Sequence, residues 1–118
     1  MQQLSVIIIT HNEEENILRC ILSVKDLADE ILVVDSFSSD RTVEICNASG
    51  CKVISHEFEG YGQQKQFGVE QAGNDWILSL DADEVVTDEL KQEIRTLMQK
   101  EPIPHEGYQI PFSLFYMG

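Results

Sequence analysis

The sequence predicts an α/β fold with a mainly parallel sheet. Two observations carry this: apolar, β-branched runs alternate with amphipathic stretches, and each run gives way to a polar or acidic cluster. The resulting order is β-α-β-α-β-α-β, with connections long enough for right-handed crossovers. Wound in the common doubly wound manner, the strands take the order 3-2-1-4, which brings the carboxyl ends of the first, second and fourth together. Those ends carry Thr10, Asp35 and the acids Asp81 to Asp83.

Residues 4–10 form an uninterrupted, β-branched run, as expected of a central parallel strand. Asn12 is predicted to cap the next helix with Glu15 as its capping-box partner, while Glu13, Glu14 and Glu15 suit the positive end of the helix dipole. Ile17, Leu18, Ile21, Leu22 and Val24 give that helix its apolar stripe. Residues 30–35 make the second strand, residues 36–40 a polar turn, and residues 41–49 a helix that Gly50 is placed to close. Residues 51–56 read as a third strand and residues 57–63, with Gly60 and Gly62, as a loop. A short helix over 64–72, stopped by Gly73, leads to the fourth strand at 76–80. Thr87 caps a last helix to about residue 100, with Leu90, Ile94, Leu97 and Met98 on one face. Pro102 and Pro104 break it, and residues 108–116 read as an extended edge strand, or one with a bulge at Pro111.

At 118 residues, without repeats or low-complexity tracts, the chain is expected to form one domain. The formal net charge of −13, with no cluster of Lys or Arg, disfavours unassisted binding to nucleic acid or to an anionic membrane. Cys20, Cys46 and Cys51 are odd in number and lack CxxC spacing, which fits reduced thiols packed as small core residues. Residues 4–9 are too few to span a bilayer and no signal-peptide pattern precedes them, so a soluble chain is expected.

The turn Thr10-His11-Asn12-Glu13-Glu14 has no glycine, so it cannot wrap a pyrophosphate as a dinucleotide fingerprint or a P-loop does. A dehydrogenase and a P-loop kinase are both disfavoured. Asp81-Ala82-Asp83-Glu84 has two readings of equal weight. It is either a solvated acidic approach to the helix capped by Thr87, or a metal-assisted phosphate site, since Mg²⁺ commonly takes one or two carboxylates plus phosphate oxygens. Asp35 either braces the Ser-rich turn or accepts hydrogen bonds from a base or ribose. Lys65 is either a solvated surface lysine or a phosphate or base contact. His11, His56 and His105 have no spaced partner and are assigned no role.

Taken together, residues 4–13, 31–42, 65–68 and 76–84 resemble the nucleotide-sugar-binding half of the family 2 inverting glycosyltransferases. Within that family the wording is similar to bacterial β-1,4-glucosyltransferases that extend lipopolysaccharide or lipooligosaccharide cores. The resemblance implies a Rossmann-like GT-A fold, truncated after the DxD region, so that residues 1–118 are the N-terminal donor-binding part with the acceptor half largely absent. It implies a nucleoside-diphosphate sugar donor, a UDP-sugar above all, with Mg²⁺ or Mn²⁺ as cofactor and a cell-surface glycan or lipid-linked acceptor. Thr10, Asn12 and Glu13 would line the nucleotide pocket, with Lys65 beside them. Asp35 would touch the base or ribose, and Asp81, Ala82 and Asp83 would form the DxD. By the same resemblance Asp83 would be the direct metal ligand and Asp81 would stand on the ribose side. The place of work implied is the cytoplasm, at the cytoplasmic face of the bacterial inner membrane, with any peripheral membrane contact made by the missing C-terminal part.

Two departures bear on base selection: Ser36 stands where the family often has a second acid, and Lys65-Gln66 where it often has Arg-Asn. An inverting transferase also needs a carboxylate to deprotonate the acceptor, and nothing in the motifs supports Glu84 or Glu106 in that role. The alternatives are a nucleotide-sugar-binding module without turnover and, more remotely, a phosphatase of the haloacid dehalogenase type built on Asp81-Ala82-Asp83-Glu84-Val85.

Overall fold

Four apolar runs become parallel strands in a computed structural model that describes residues 3–100 and 114–117. Along the chain lie β1 (Leu4–Thr10), α1 (Ile17–Val24), β2 (Glu30–Asp35), α2 (Thr42–Ala48) and β3 (Lys52–Ser55). Then follow α3 (Tyr61–Gln71), β4 (Trp76–Asp81), α4 (Asp88–Lys100) and β5 (Leu114–Met117). The sheet order is β3-β2-β1-β4-β5, which contains the expected 3-2-1-4, and β5 is added antiparallel at the edge. Of the extended stretch expected over 108–116, only its last residues fall in β5; residues 108–113 lie outside the described ones, as do His105 and Glu106.

β1 runs between two parallel neighbours, pairing Thr10 with Asp35 on one side and Ile9 with Asp81 on the other. All seven of its residues are buried, which is why its sequence is continuous rather than alternating. Leu4, Val6 and Ile8 face the larger core, shared with Ile17, Cys20, Ile21 and Val24 of α1, Cys46 of α2 and Ile94 of α4. Ile7, Val34 and Ile77 face the other way, against Phe67, Val69 and Ala72 at α3. Leu90, Leu97 and Met98 pack on the larger core as their spacing predicts, and Thr87 Oγ1 accepts from the Leu90 amide at 3.1 Å, the expected cap.

Gly50 closes α2 as anticipated. Its φ of +81° is the left-handed conformation, its amide donates to Asn47 O at 3.2 Å, and the Cys51 amide donates to Cys46 O at 3.1 Å. These two bonds together form a Schellman motif.

Two boundaries differ from expectation. The first helix begins at Ile17, with no acid in its first turn, because Asn12 is not its cap. Asn12 takes φ +50° and its side-chain oxygen accepts from the Ser39 amide at 2.7 Å, a tertiary use that outcompetes local capping. The Asn16 and Ile17 amides instead turn back to Glu13 O. The third helix begins three residues early, at Tyr61, since only Gly60, at φ +129°, needs the freedom of glycine; Gly62 is an ordinary exposed helical position. Among the described residues no helix is long and apolar enough to cross a membrane.

Candidate active site

The parallel register brings the carboxyl ends of β1, β2 and β4 to one edge of the sheet, where a cleft of about 540 Å³ opens. Thr10, His11 and Glu13 enter it from β1, Ser36 and Phe37 from β2, and Glu57, Phe58 and Tyr61 from the loop and helix after β3. Asp81, Ala82 and Asp83 enter from β4.

The loops after β1 and β2 are laced together. The Asn12 amide donates to Ser38 Oγ at 2.8 Å and the Glu13 amide to Thr42 Oγ1 at 2.9 Å. Asp40 accepts from the Thr42 amide at 3.0 Å and the Glu14 amide at 3.2 Å. Its carboxyl is held below the usual range, first by the Thr42 hydroxyl and then by these amides.

Five of the eight residues expected at the site therefore line the cleft: Thr10, Glu13, Asp81, Ala82 and Asp83. The other three stand elsewhere. Asn12 braces the facing loop. Asp35, 1% exposed, is outside the cleft lining and accepts from the amide and hydroxyl of Ser38, so it braces the Ser-rich turn. Lys65 is half-buried on α3, away from the lining.

Glu13, Glu57, Asp81 and Asp83 put four carboxylates in a lining that holds no Lys or Arg among the described residues, so a cation would offset the repulsion met by an anionic ligand. Two polar atoms of cleft-lining residues, Thr10 Oγ1 and Asp81 Oδ1, are buried and without a hydrogen-bond partner among the described residues. A buried acceptor left unpaired costs roughly 1–3 kcal/mol, a cost that a bound ligand or cation would offset. The rest of the Asp81 environment is satisfied: its amide donates to Glu84 Oε1 at 2.7 Å and its carbonyl accepts from the Glu84 amide at 2.9 Å. Asp83 is exposed at the mouth. Two carboxylates with room for ligand oxygens fit a hard divalent ion shared with a phosphate. Among the described residues no group of three or more His, Cys, Asp or Glu is gathered as a self-sufficient metal site.

His11, Ser36, Phe37, Glu57, Phe58 and Tyr61 were missed in the sequence. The aromatics had a readable signal: Phe37, Phe58 and Tyr61 interrupt polar stretches, and they are 65%, 48% and 66% exposed. Phe37 also holds φ +54°, a conformation uncommon for a bulky side chain and one that turns it out over the cleft.

Beneath β4, Cys20 Sγ donates to Asp81 O at 3.7 Å. Burial, and then the charges of Glu84 and Asp83, push its thiol up to about 12. Burial likewise pushes Cys46 to about 12 and raises Cys51. All three are free and buried. The native protein is thus expected to react with a thiol-exchange reagent at pH 8 on the order of a thousandfold more slowly at Cys20 and Cys46 than the unfolded chain, with all three cysteines titrating at once in denaturant. Rapid labelling of either cysteine in the folded state would contradict this packing.

The sequence profile of Glycosyl transferase family 2 matches residues 5–111. An uncharacterized glycosyltransferase of Rickettsia typhi is 42% identical over 119 residues, covering 100% of this chain and 41% of the relative. A second, from Rickettsia prowazekii, is 40% identical over the same shares. The chain thus spans about two fifths of the length of these curated relatives. Among solved structures, glucosyl-3-phosphoglycerate synthase of Mycobacterium tuberculosis in complex with UDP superposes with a TM-score of 0.64 at 28% identity, over 71% of this chain and 35% of that one. The same enzyme with Mn²⁺ and UDP-glucose gives a TM-score of 0.64 over 71% of this chain and 34% of that one. With the strand order, the cleft and these similarities in agreement, the chain belongs to the family 2 glycosyltransferases and carries their GT-A, Rossmann-like fold.

Proposed function

We propose that this chain is the donor-binding part of an inverting glycosyltransferase that takes a UDP-sugar together with Mg²⁺ or Mn²⁺. The observation that carries this reading is the meeting of Thr10, Glu13, Asp81 and Asp83 in one cleft, with two buried oxygens left for a ligand and exposed aromatics beside them. The complexes of the mycobacterial synthase with UDP, Mn²⁺ and UDP-glucose support the choice of ligand.

In this scheme Asp83 and Asp81 hold the ion, which when bound neutralises the diphosphate and eases its departure. Thr10 and Glu13 bound the nucleotide side, and Phe37, Phe58 and Tyr61 offer faces to the base and shield it from water. Asn12 and Asp35 act one step away, by fixing the loops that carry Glu13, Ser36 and Phe37. Lys65 is assigned to the phosphate or base side as a long, flexible cation on α3. The acceptor is a cell-surface glycan or lipid-linked saccharide, with a lipopolysaccharide or lipooligosaccharide core as the form the sequence resemblance favours. The work is assigned to the cytoplasmic face of the bacterial inner membrane. The carboxylate that deprotonates the acceptor is assigned to an acceptor-binding part outside this chain, in keeping with the share of its relatives that it spans.

Calorimetric titration of the chain with UDP tests this directly. Binding is expected in Mn²⁺ or Mg²⁺ and at least about tenfold weaker in chelator, because four carboxylates then face the diphosphate alone. Equal affinity with and without metal would overturn the proposed role of Asp81 and Asp83.

A further inference from the structure

Gln64, on the first half of α3, is completely buried, and every hydrogen-bonding group of its amide is occupied. Oε1 accepts from His56 Nδ1 at 2.8 Å, while Nε2 donates to Ser36 Oγ at 2.8 Å and to His56 O at 3.2 Å. The His56 carbonyl decides which end of the amide is which, since the reverse orientation would set two carbonyl oxygens against each other. His56 is itself held by stacking on Phe67, with ring centroids 3.8 Å apart.

The consequence falls on Ser36, which lines the cleft. Its Oγ receives a hydrogen bond from Gln64, so its own hydroxyl hydrogen is left to donate, and no acceptor for it occurs among the described residues. Beside it, Ser36 O accepts from Nδ1 of His11 at 2.7 Å, so that in the neutral ring Nε2 of that cleft-lining residue is the acceptor. Nε2 has one long contact, from Asn12 Nδ2 at 3.4 Å. The wall thus offers a donor and an acceptor, where an acid at position 36 would offer acceptors only.

We infer that Gln64 is a positioning residue for base selection: by keeping Ser36 a donor, it makes the cleft prefer a base edge with a carbonyl next to an N–H, as in uracil, over the reversed edge of cytosine. This rests on the nucleotide reading above. Cytosine presents an amino donor where uracil presents a carbonyl, so it would leave both Ser36 and His11 unmatched. Stacking on Phe37, Phe58 or Tyr61 accepts any base and adds affinity without choosing.

The test is titration of the chain with UDP and with CDP, each in Mn²⁺, for the wild type, Gln64→Glu and Ser36→Ala. The wild type is expected to favour UDP by about tenfold. In Gln64→Glu the carboxylate keeps the His56 contact but can only accept, so Ser36 donates to it and shows lone pairs to the cleft. The UDP:CDP ratio then falls to about one, with CDP binding strengthened, whereas a merely structural role for Gln64 would weaken both nucleotides alike. Ser36→Ala changes no residue of α3, removes only one of the two acceptors of Gln64 Nε2, and decides the matter if the first variant fails to fold: UDP binding weakens by about tenfold and CDP binding does not change. A wild-type ratio retained in the variants that fold overturns the role of Gln64 and leaves UDP binding standing. A wild type that binds neither nucleotide overturns both readings.

Discussion

Asparagine in place of Asp83 is expected to lower Mn²⁺-dependent UDP affinity by roughly 100-fold, as removal of one partner from a charge-assisted site does. The fold should not notice, because Asp83 is exposed and makes no hydrogen bond or ion pair among the described residues. Asp81→Asn makes the sharper comparison. Its Oδ1 is buried without a partner among the described residues and its carboxylate belongs to a cleft with three others, so neutralising it removes repulsion from the empty protein. Binding is expected to fall to the same extent while the melting temperature holds or rises. That pairing of lost affinity with gained stability marks a side chain kept for a ligand. UDP titration beside thermal melts of the same samples checks both halves. Undiminished metal-dependent binding in Asp83→Asn would remove it from the metal site.

Gly68 should give the largest stability effect. It lies where α3 crosses β1 and β2, and a Cβ there would come to 2.6 Å from Ile7 Cγ2 and 3.3 Å from Val34 Cγ2. Neither neighbour can swing away, since Ile7 and Val34 are fully buried in the sheet. Gly68→Ala gains about 1 kcal/mol of helix propensity and loses more to overpacking, for a net loss of about 1 kcal/mol. Gly68→Val adds two further methyl groups and is expected to cost about 3 kcal/mol. Urea unfolding followed by the fluorescence of Trp76, the one tryptophan and wholly buried, measures both. A double-mutant cycle isolates the cause: with Ile7→Ala in place the obstructing methyl is gone, and Gly68→Ala should become stabilising. If alanine is still harmful there, the clash is not the reason for the glycine.

The strands and their order were legible because a parallel sheet leaves a plain trace: runs such as residues 4–10 are buried throughout and mostly apolar, with Ser5 and Thr10 the polar members, and each ends where a ligand is expected. Asp81 and Asp83 could be found for the same reason, as acids that end such a run. Asn12 and Asp35 read differently because both are spent on turns. A short amide or carboxylate beside a Ser-rich loop looks the same in sequence whether it meets a ligand or a backbone amide from a residue far along the chain. Gln64 was invisible for a related reason. Polar glutamine in a glycine-containing stretch reads as surface, and its burial follows only from β2, β3 and α3 converging around it.

The register of β1 also governs how the molecule assembles. Its partner on one side, β2, is nearby in the chain, so the β1-α1-β2 unit closes a modest loop and can form early. Its partner on the other side, β4, arrives only after two more helices and a strand have been laid down. Until then the apolar edge of β1 is unpaired, and the two halves of the cleft, Thr10 and Glu13 on one strand's end and Asp81 and Asp83 on the other's, have not met. The cleft therefore exists only once β4 has paired with β1. A nucleotide that grips both ends would act as a clasp on that pairing, stabilising the sheet where two strands distant in the chain meet.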